Sequence, residues 1–562
     1  MKFTNLLKSI SSYNLNYLKH DIKSSFTLAT VAVPQNMAYA LIAGVNPIYG
    51  IYASIISMIS ASILGISNFM ILGPTNIIAI AIASNMAFLK NGNYFQGILL
   101  LTFVVGILQI VFSLLKVGKL VNYISHSVIV GLTTGLAVLI GAGQVASILG
   151  INSDSGVTLV AKISSILKNI PQINYYSLIV GLITIGLIIF FQKFSKSVPS
   201  FLISIILISL GIYFLDLDSL LHVVEIQKTG IPEFHVFNFD FGLIQDMFTA
   251  AVSITILSFI QPVSIIKSLE GTKGQKVDFN REFTRLGIIN IICSFFKGFV
   301  VTGSITNTHV NEQAGAKSRF SQLLTGLIIL IISILFNPIF KYIPIAALSG
   351  LVIVVAYNMI NMGEIIHIIK TTRFDAIVII ITFLATIFAP RLDYAVYIAV
   401  GISIILVLRR ISRPEIDHIN FEDETPEIID KQPKEKRARE DYIILNLGGP
   451  IYFHAASKLN KMLNESYCEN QKFILRLRNV KNIDYTSLKE IEKFIDKVKN
   501  SGGQIIISGV KDKVHDALEK YGIVDKIGEK NIFKKQNKLF SSTQDAIDRA
   551  KDLSDEDEHN SR

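Results

Sequence analysis

The chain has 562 residues, 51% hydrophobic and only 17% charged, with a formal net charge of +10 and a mean hydropathy of +0.49. Such apolarity over this length excludes an ordinary soluble enzyme and points to a multi-pass membrane protein. The charge is divided unevenly: residues 1–410 hold 26 Lys+Arg and 15 Asp+Glu, whereas 411–562 hold 27 and 28. The basic excess is therefore scattered between apolar spans rather than gathered on one face, which argues against a nucleic-acid partner. Cys293 and Cys468 offer neither a disulfide framework nor metal-ligand spacing, and no cofactor is expected.

Residues 1–25 read as an amphipathic cytoplasmic lead. They carry Lys2, Lys8, Lys19 and Lys23 and lack the apolar core of a cleavable signal. Spans are expected at about 26–43, 48–65, 76–88, 97–115, 123–148, 175–191 and 199–215. After a polar stretch at 216–246 a second set follows at about 248–269, 283–296, 306–313, 322–336, 345–360, 375–388 and 394–408. Seven and seven passages put both termini on one side. The expected inner loops collect Lys116, Lys119, Lys193, Lys196, Lys267, Lys273, Lys276, Lys317, Lys370 and Arg373, and Arg409 and Arg410 leave the last span. The longest outer loop carries Asp216, Asp218, Glu225, Glu233, Asp240 and Asp246 against Lys228 alone. The positive-inside rule then places the termini in the cytoplasm of an inner-membrane protein.

Two members of this series are too short to span. Val301–Ala316 is a polar island between apolar runs, and Thr306 and Thr308 are suited to cap a helix ending near Gln313. Gly73-Pro74-Thr75 precedes the other short run, with Pro74 placed to serve as a first-turn proline. A helix of about ten residues rises about 15 Å, half of a hydrocarbon core about 30 Å thick. It would aim its free N–H groups and positive dipole end at the midplane, a natural anion site. One such half-helix in each half of the chain is the pattern of an inverted-repeat transporter. Gln35 and Tyr39, four apart, share a helix face beside the helix-breaking Pro34. His126 opens the fifth span between two serines and reads as a capping or interfacial residue. His309 and Glu312 lie i, i+3 on the second short helix and are the candidate proton carriers there.

Residues 411–440 are charged and proline-containing and read as a linker. From 441 to 551 strands at 442–447, 451–453, 472–477 and 504–508 alternate with helices at 455–466, 487–500 and 511–521, the pattern of a small α/β domain. Residues 552–562 read as a flexible polar tail.

Four stretches, taken together and in this order, resemble the sulfate permease family of anion transporters. They are VAVPQNMAYALIAGVNPIYGIYAS at 31–54, ILGPT at 71–75, ISHSVIVGLTTGLAVLIGAGQ at 124–144 and VTGSITNTHVNEQAGAKSR at 301–319. GPIYFHAA at 449–456 and LRNVKNIDYTSLKEI at 477–491 resemble a STAS domain. The resemblance implies a multi-pass α-helical protein with a seven-plus-seven inverted repeat, split into core and gate domains, and a C-terminal α/β STAS domain. It also implies a homodimer, a small inorganic or organic anion as substrate, and an elevator-type motion. Its site would take Gly73, Pro74 and Thr75 from the third helix, Ser304, Ile305 and Thr306 from the tenth, and Gln35 and Tyr39 from the first.

Two departures bear on chemistry. Gln261 stands where the family usually has an acidic residue tied to proton or sodium coupling, and an amide does not titrate. Asn307 replaces a frequent arginine, which makes the site less cationic. Sulfate is the foremost expectation, with bicarbonate, chloride or a dicarboxylate as alternatives. In the STAS segment Thr486 matches a position phosphorylated in soluble relatives, but Ser487 follows it in place of the usual glycine, and Asp484 or Ser487 is suited to cap the helix there. A protein or nucleotide is the expected regulatory partner of that domain. The competing reading is a membrane-anchored STAS regulator without transport; a simple anchor has no need of polar breaks at the midplane. No nucleophile, metal or phosphate-loop arrangement suggests an enzyme.

Overall fold

The computed structural model describes residues 15–65, 70–86, 89, 94–116, 125–151, 158–194, 199–224, 230–273, 278–411, 415–422, 425–429, 442–452, 456–538 and 540–560. The chain divides into two compact units, 1–404 and 405–562.

In the first unit the helices are α1 (Leu15–Ile42), α2 (Ile48–Leu64), the short α3 (Asn76–Asn85), α4 (Tyr94–Leu114), α5 (His126–Ile148), α6 (Leu159–Lys168), α7 (Tyr175–Phe194) and α8 (Ser200–Phe214). The second half supplies α9 (Phe241–Lys273), α10 (Phe279–Phe295), the short α11 (Ile305–Gln313), α12 (Phe320–Phe336), α13 (Ile345–Met359), α14 (Met362–Thr371), α15 (Arg373–Phe388) and α16 (Leu392–Ile411). Among the described residues, five helices are long and apolar enough to cross a membrane by length and composition, and five shorter apolar helices accompany them. Both halves run through the same succession, a long helix broken by an internal proline (Pro34 in α1, Pro262 in α9) and, third in line, a short helix preceded by a two-residue strand. This is the seven-plus-seven inverted repeat.

Packing sorts these helices into two sets. Helices α1–α4 and α9–α12 pack chiefly on one another, and α5, α7, α8, α13 and α15 chiefly together, with one continuous apolar core running through both sets. Small residues permit the closest approaches. A Cβ on Gly106 or Gly287 would meet the other's carbonyl at 2.8 and 2.6 Å, so α4 and α10 cross backbone to backbone there. Gly131 and Gly135 do the same for α5 against Thr382 and Thr386 of α15.

The first helix begins at Leu15, so part of the stretch read as a cytoplasmic lead is continuous with the first span, and residues 1–14 lie outside the described chain. Helices α6 and α14 fall where loops were expected. Each is short and two-faced, with apolar side chains exposed along one side: Val160, Ile163 and Leu167 on α6, and Met362, Ile366 and Ile369 on α14. His126 follows the N-cap Ser125 rather than capping α5, and its Nε2 lies 2.5 Å from Glu364 of α14.

The second unit is a six-stranded sheet in the order β4-β3-β5-β6-β7-β8. Its strands are β3 (Glu415–Glu422), β4 (Thr425–Ile429), β5 (Ile443–Ile451), β6 (Lys472–Ile483), β7 (Gln504–Val510) and β8 (Ile532–Lys534). Strands β5 to β8 are parallel, and alternation of side chains sends Leu445 and Leu475 to one face and Ile444, Ile474 and Ile506 to the other. The first face is covered by α17 (Ala456–Ser466), α18 (Tyr485–Asn500), α19 (Asp512–Tyr521) and the short α20 (Ile523–Ile527). The second is covered by α21 (Ser541–Asn560), through Ala546, Ile547, Ala550 and Leu553. Two expectations are corrected here. The stretch read as a linker supplies the β3–β4 hairpin, because alternation in EIDHINFE pairs β3 antiparallel with β5 despite its charge. The tail read as flexible continues α21, whose Leu553 is buried.

Asp484 caps α18, its carboxylate accepting from the Ser487 N–H at 2.9 Å, and Thr486 lies exposed in the first turn. Asp484→Ala should destabilise this unit by about 1 kcal/mol, read as a lowered denaturation midpoint.

Candidate functional site

The site is built from two loops more than two hundred residues apart in sequence. Strand β1 (Leu72–Gly73) pairs antiparallel with β2 (Thr302–Gly303), Leu72 against Gly303 and Gly73 against Thr302. The pairing extends into the caps. Ser304 N–H donates to the Ile71 carbonyl at 2.9 Å, and the Ile71 N–H donates to Thr308 Oγ1 at 3.1 Å. Helices α3 and α11 start immediately after these strands, so their N-terminal ends, with unsatisfied N–H groups and positive dipole ends, lie side by side.

Buried amides hold each loop from behind. Asn290 of α10 is fully buried; it accepts from the Val301 N–H at 2.8 Å and donates to the Val301 carbonyl at 3.0 Å. Its amide nitrogen also reaches Gln109 Oε1 at 2.9 Å, and Gln109 donates to Ser258 Oγ at 2.7 Å. Gln322 of α12, with its amide turned to satisfy both ends, does the same for the other loop, accepting from Leu72 N–H at 2.8 Å and donating to the Met70 carbonyl at 3.3 Å. The prolines complete the arrangement. Pro262 has no N–H to offer the Ser258 carbonyl four residues back, and Thr302 Oγ1 donates to that carbonyl at 2.6 Å instead.

The expected site residues take these places. Thr75, not Pro74, is the N-cap of α3, and Pro74 stands one residue before it; Thr75 is 3% exposed and its Oγ1 has no partner among the described residues. Ser304, not Thr306 or Thr308, caps α11, its Oγ accepting from Asn307 N–H at 3.3 Å. The cap moves upstream because Ser304, the residue after β2, already has extended backbone, while Thr308 faces the β1 loop. Ile305 and Thr306 are exposed in the first turn of α11, and a Cβ placed on Gly73 meets nothing within 4 Å, so the paired ends border open space. Gly303 is the opposite case: a Cβ there would crowd Met70 Sδ at 3.0 Å and Pro262 Cγ at 3.3 Å.

Gln35 donates through Nε2 to Tyr39 Oη at 2.8 Å, as their helical spacing predicts, and both are buried. Gln35 Oε1, Gln261 Oε1 and both amide atoms of Asn307 are buried without partners among the described residues. Buried polar groups are ordinarily paired, and unpartnered ones also occur elsewhere among the described residues, at Ser204, Ser349 and Ser508 for example. His309 is exposed and Glu312 half-buried on α11. Asn290, Gln109, Gln322 and Thr302 were not singled out from the sequence, although each is a polar residue within or beside an apolar run, the signal by which intramembrane function is recognised.

Two helical halves, each with a proline-containing long helix and a short third helix after a two-residue strand, follow the arrangement of inverted-repeat transporters. The model of the sulfate permease family matches residues 18–382, and that of the STAS domain matches 433–546. The chain belongs to the sulfate permease family, whose members transport anions, and ends in a STAS domain. A putative sulfate transporter of Bacillus subtilis, YvdB, is 26% identical over 95% of this chain and 98% of its own length. Sulfate transporter 4.1, chloroplastic, of Arabidopsis thaliana is 27% identical over 92% of this chain and 79% of its own. Among solved structures the fold is similar to murine Solute Carrier 26 family member A9, an anion transporter in the inward-facing state, with a TM-score of 0.86 at 20% identity over 97% of this chain and 93% of that one. It is also similar to the transmembrane domain of the cyanobacterial bicarbonate transporter BicA, with a TM-score of 0.62 at 22% identity over 68% of this chain and 98% of that one.

Replacing Asn290 by Leu would strip partners from both the N–H and the carbonyl of Val301, at about 1–3 kcal/mol for each buried group. The expected result is a clear fall in the melting temperature of the detergent-solubilised protein, whereas Thr75→Val, which removes no bond seen in the structure, should leave it nearly unchanged.

Proposed function

We propose that this chain is a secondary-active carrier of a small inorganic anion, sulfate foremost, which binds between the N-terminal ends of α3 and α11. The observation that carries this reading is the β1–β2 pairing, which brings two helix ends together beside the buried, unpartnered Thr75 Oγ1. Backbone N–H groups of both first turns and the Thr75 hydroxyl are the anion's donors, with Ser304, Thr306, Gln35 and Tyr39 around them. Gly73, without a side chain, leaves room for it. The helices that carry the site pack as one set and those facing it as another, which suits an elevator-type motion of core against gate. The printed names of the relatives above favour sulfate over bicarbonate, chloride or a dicarboxylate. The loop charges support an inner-membrane protein with cytoplasmic termini.

Electrostatics constrains how the carrier runs. Two helix ends supply about +0.5 charge each, enough to balance a monoanion and leave a dianion with about one charge uncompensated. A dianion moving inward alone against 100 mV, negative inside, costs about 4.6 kcal/mol. Gln261 offers no carboxylate for a coupling cation, so exchange for an internal anion is the mode we favour, with His309 and Glu312 as the remaining candidates for proton coupling.

Liposomes loaded with unlabelled anion test this directly with labelled sulfate, bicarbonate and fumarate, with and without pH and sodium gradients. Sulfate should exchange without either gradient; uptake of none of the three would overturn the reading. Thr75→Val should cut sulfate uptake about tenfold, the effect of losing one hydrogen bond to a charged group, with normal yield of folded protein. Gln261→Glu adds a titratable carboxyl beside the site, and sulfate uptake by this variant should rise as pH falls through the carboxylate range, where the wild type is flat.

A further inference from the structure

Away from the paired helix ends, an apolar cavity of about 670 Å³ opens between α1, α8 and the end of α12. Pro34 and Met37 form one wall, Ile205 and Ser209 a second, and Ile332 and Phe336 a third. Its volume is that of a site for a sizeable ligand. Three features identify the occupant. The α8 wall runs from Leu202 to Tyr213, eleven steps or about 16 Å of helix, which matches the roughly 15 Å of hydrocarbon in one leaflet. Lys341 lines the same cavity, its Nζ 4.7 Å from the centre of the Tyr342 ring, and its side chain is exposed, so a cation borders the groove. One helical turn before Tyr213, Ser209 lines the same wall at 5% exposure with its hydroxyl unpartnered among the described residues, although serine in a helix normally finds a carbonyl.

We infer that this groove holds one acyl chain of an anionic phospholipid, with the phosphate on Lys341 and Ser209 donating to the ester carbonyl below it. Apolar lining takes the chain, the buried hydroxyl takes the one polar group a lipid carries at that depth, and the lysine selects the headgroup. The groove's walls come from both helix sets, α1 and α12 from one and α8 from the other, so any movement between the sets changes its width. A seated chain therefore bears on that movement directly.

The chain contains no tryptophan, so a single introduced one reports without background. Ile205→Trp lies in the groove wall, Ile183→Trp on a face of α7 that is 49% exposed, and Phe259→Trp in the ring stack with Phe283 deep in the core. The full-length protein carrying each is reconstituted into phosphatidylcholine vesicles containing a minor fraction of phosphatidylglycerol, with bromine on the acyl chains of one lipid or the other. Ile205→Trp should be quenched comparably to Ile183→Trp, and Phe259→Trp should not be. Per mole of brominated lipid, phosphatidylglycerol should quench Ile205→Trp about fivefold more effectively than phosphatidylcholine, and Lys341→Ala should erase that preference without affecting Ile183→Trp. Ile205→Trp as bright as Phe259→Trp would show that no chain enters. Equal quenching by the two lipids, or a preference that survives Lys341→Ala, would overturn the anionic occupant. Met37→Trp, on the opposite wall, serves as the reporter if Ile205→Trp does not fold. None of these readouts depends on which anion is carried.

Discussion

Two residue pairs of antiparallel β-structure, Leu72 with Gly303 and Gly73 with Thr302, hold the centre of this molecule together. Backbone inside a membrane protein must find partners within the protein, and a chain that interrupts its run of helices twice leaves groups without them. Pairing the two breaks with each other solves the problem for both. It also sets where α3 and α11 begin, and hence where their dipoles converge. The amides of Asn290 and Gln322, both on second-half helices, play equivalent roles toward the two loops, each holding one loop through a donor and an acceptor. Thr302 takes up the carbonyl that Pro262 releases. Every one of these contacts lies behind the helix ends, which leaves their front open.

That division explains the contrast between the two glycines at the crossing. Gly303 is required by its neighbours, since any side chain would push on Met70 and Pro262. Gly73 has empty space before it, so its lack of a side chain serves the cavity rather than the packing. Among the buried polar atoms left without partners in the described residues are Thr75 Oγ1, Gln35 Oε1, Gln261 Oε1 and both amide atoms of Asn307. With Gln261 and Asn307 both uncharged, attraction for an anion at the proposed site would come chiefly from backbone dipoles.

The chain by itself was informative wherever a physical rule depends on composition or local spacing. Apolar runs marked the long helices, and the shortness of two runs marked α3 and α11, because the length of a helix follows directly from its number of residues. Gln35 and Tyr39 were legible as a pair because four residues make one turn. The α/β alternation after residue 441 was legible for the same reason. What the sequence did not disclose was partnership across distance. Which residue caps α11 depends on β2 ending just before Ser304, and β2 exists only because β1 is beside it. EIDHINFE reads as a charged linker until β5 offers it an edge to pair with, and the residues from 552 read as a tail until Leu553 is seen to pack on the open face of the sheet as part of α21. Asn290 and Gln322 looked like isolated polar residues in apolar surroundings; only the tertiary structure supplies the loop carbonyls and N–H groups that they hold, because a hydrogen bond is decided by where two groups meet and not by where either stands in the chain.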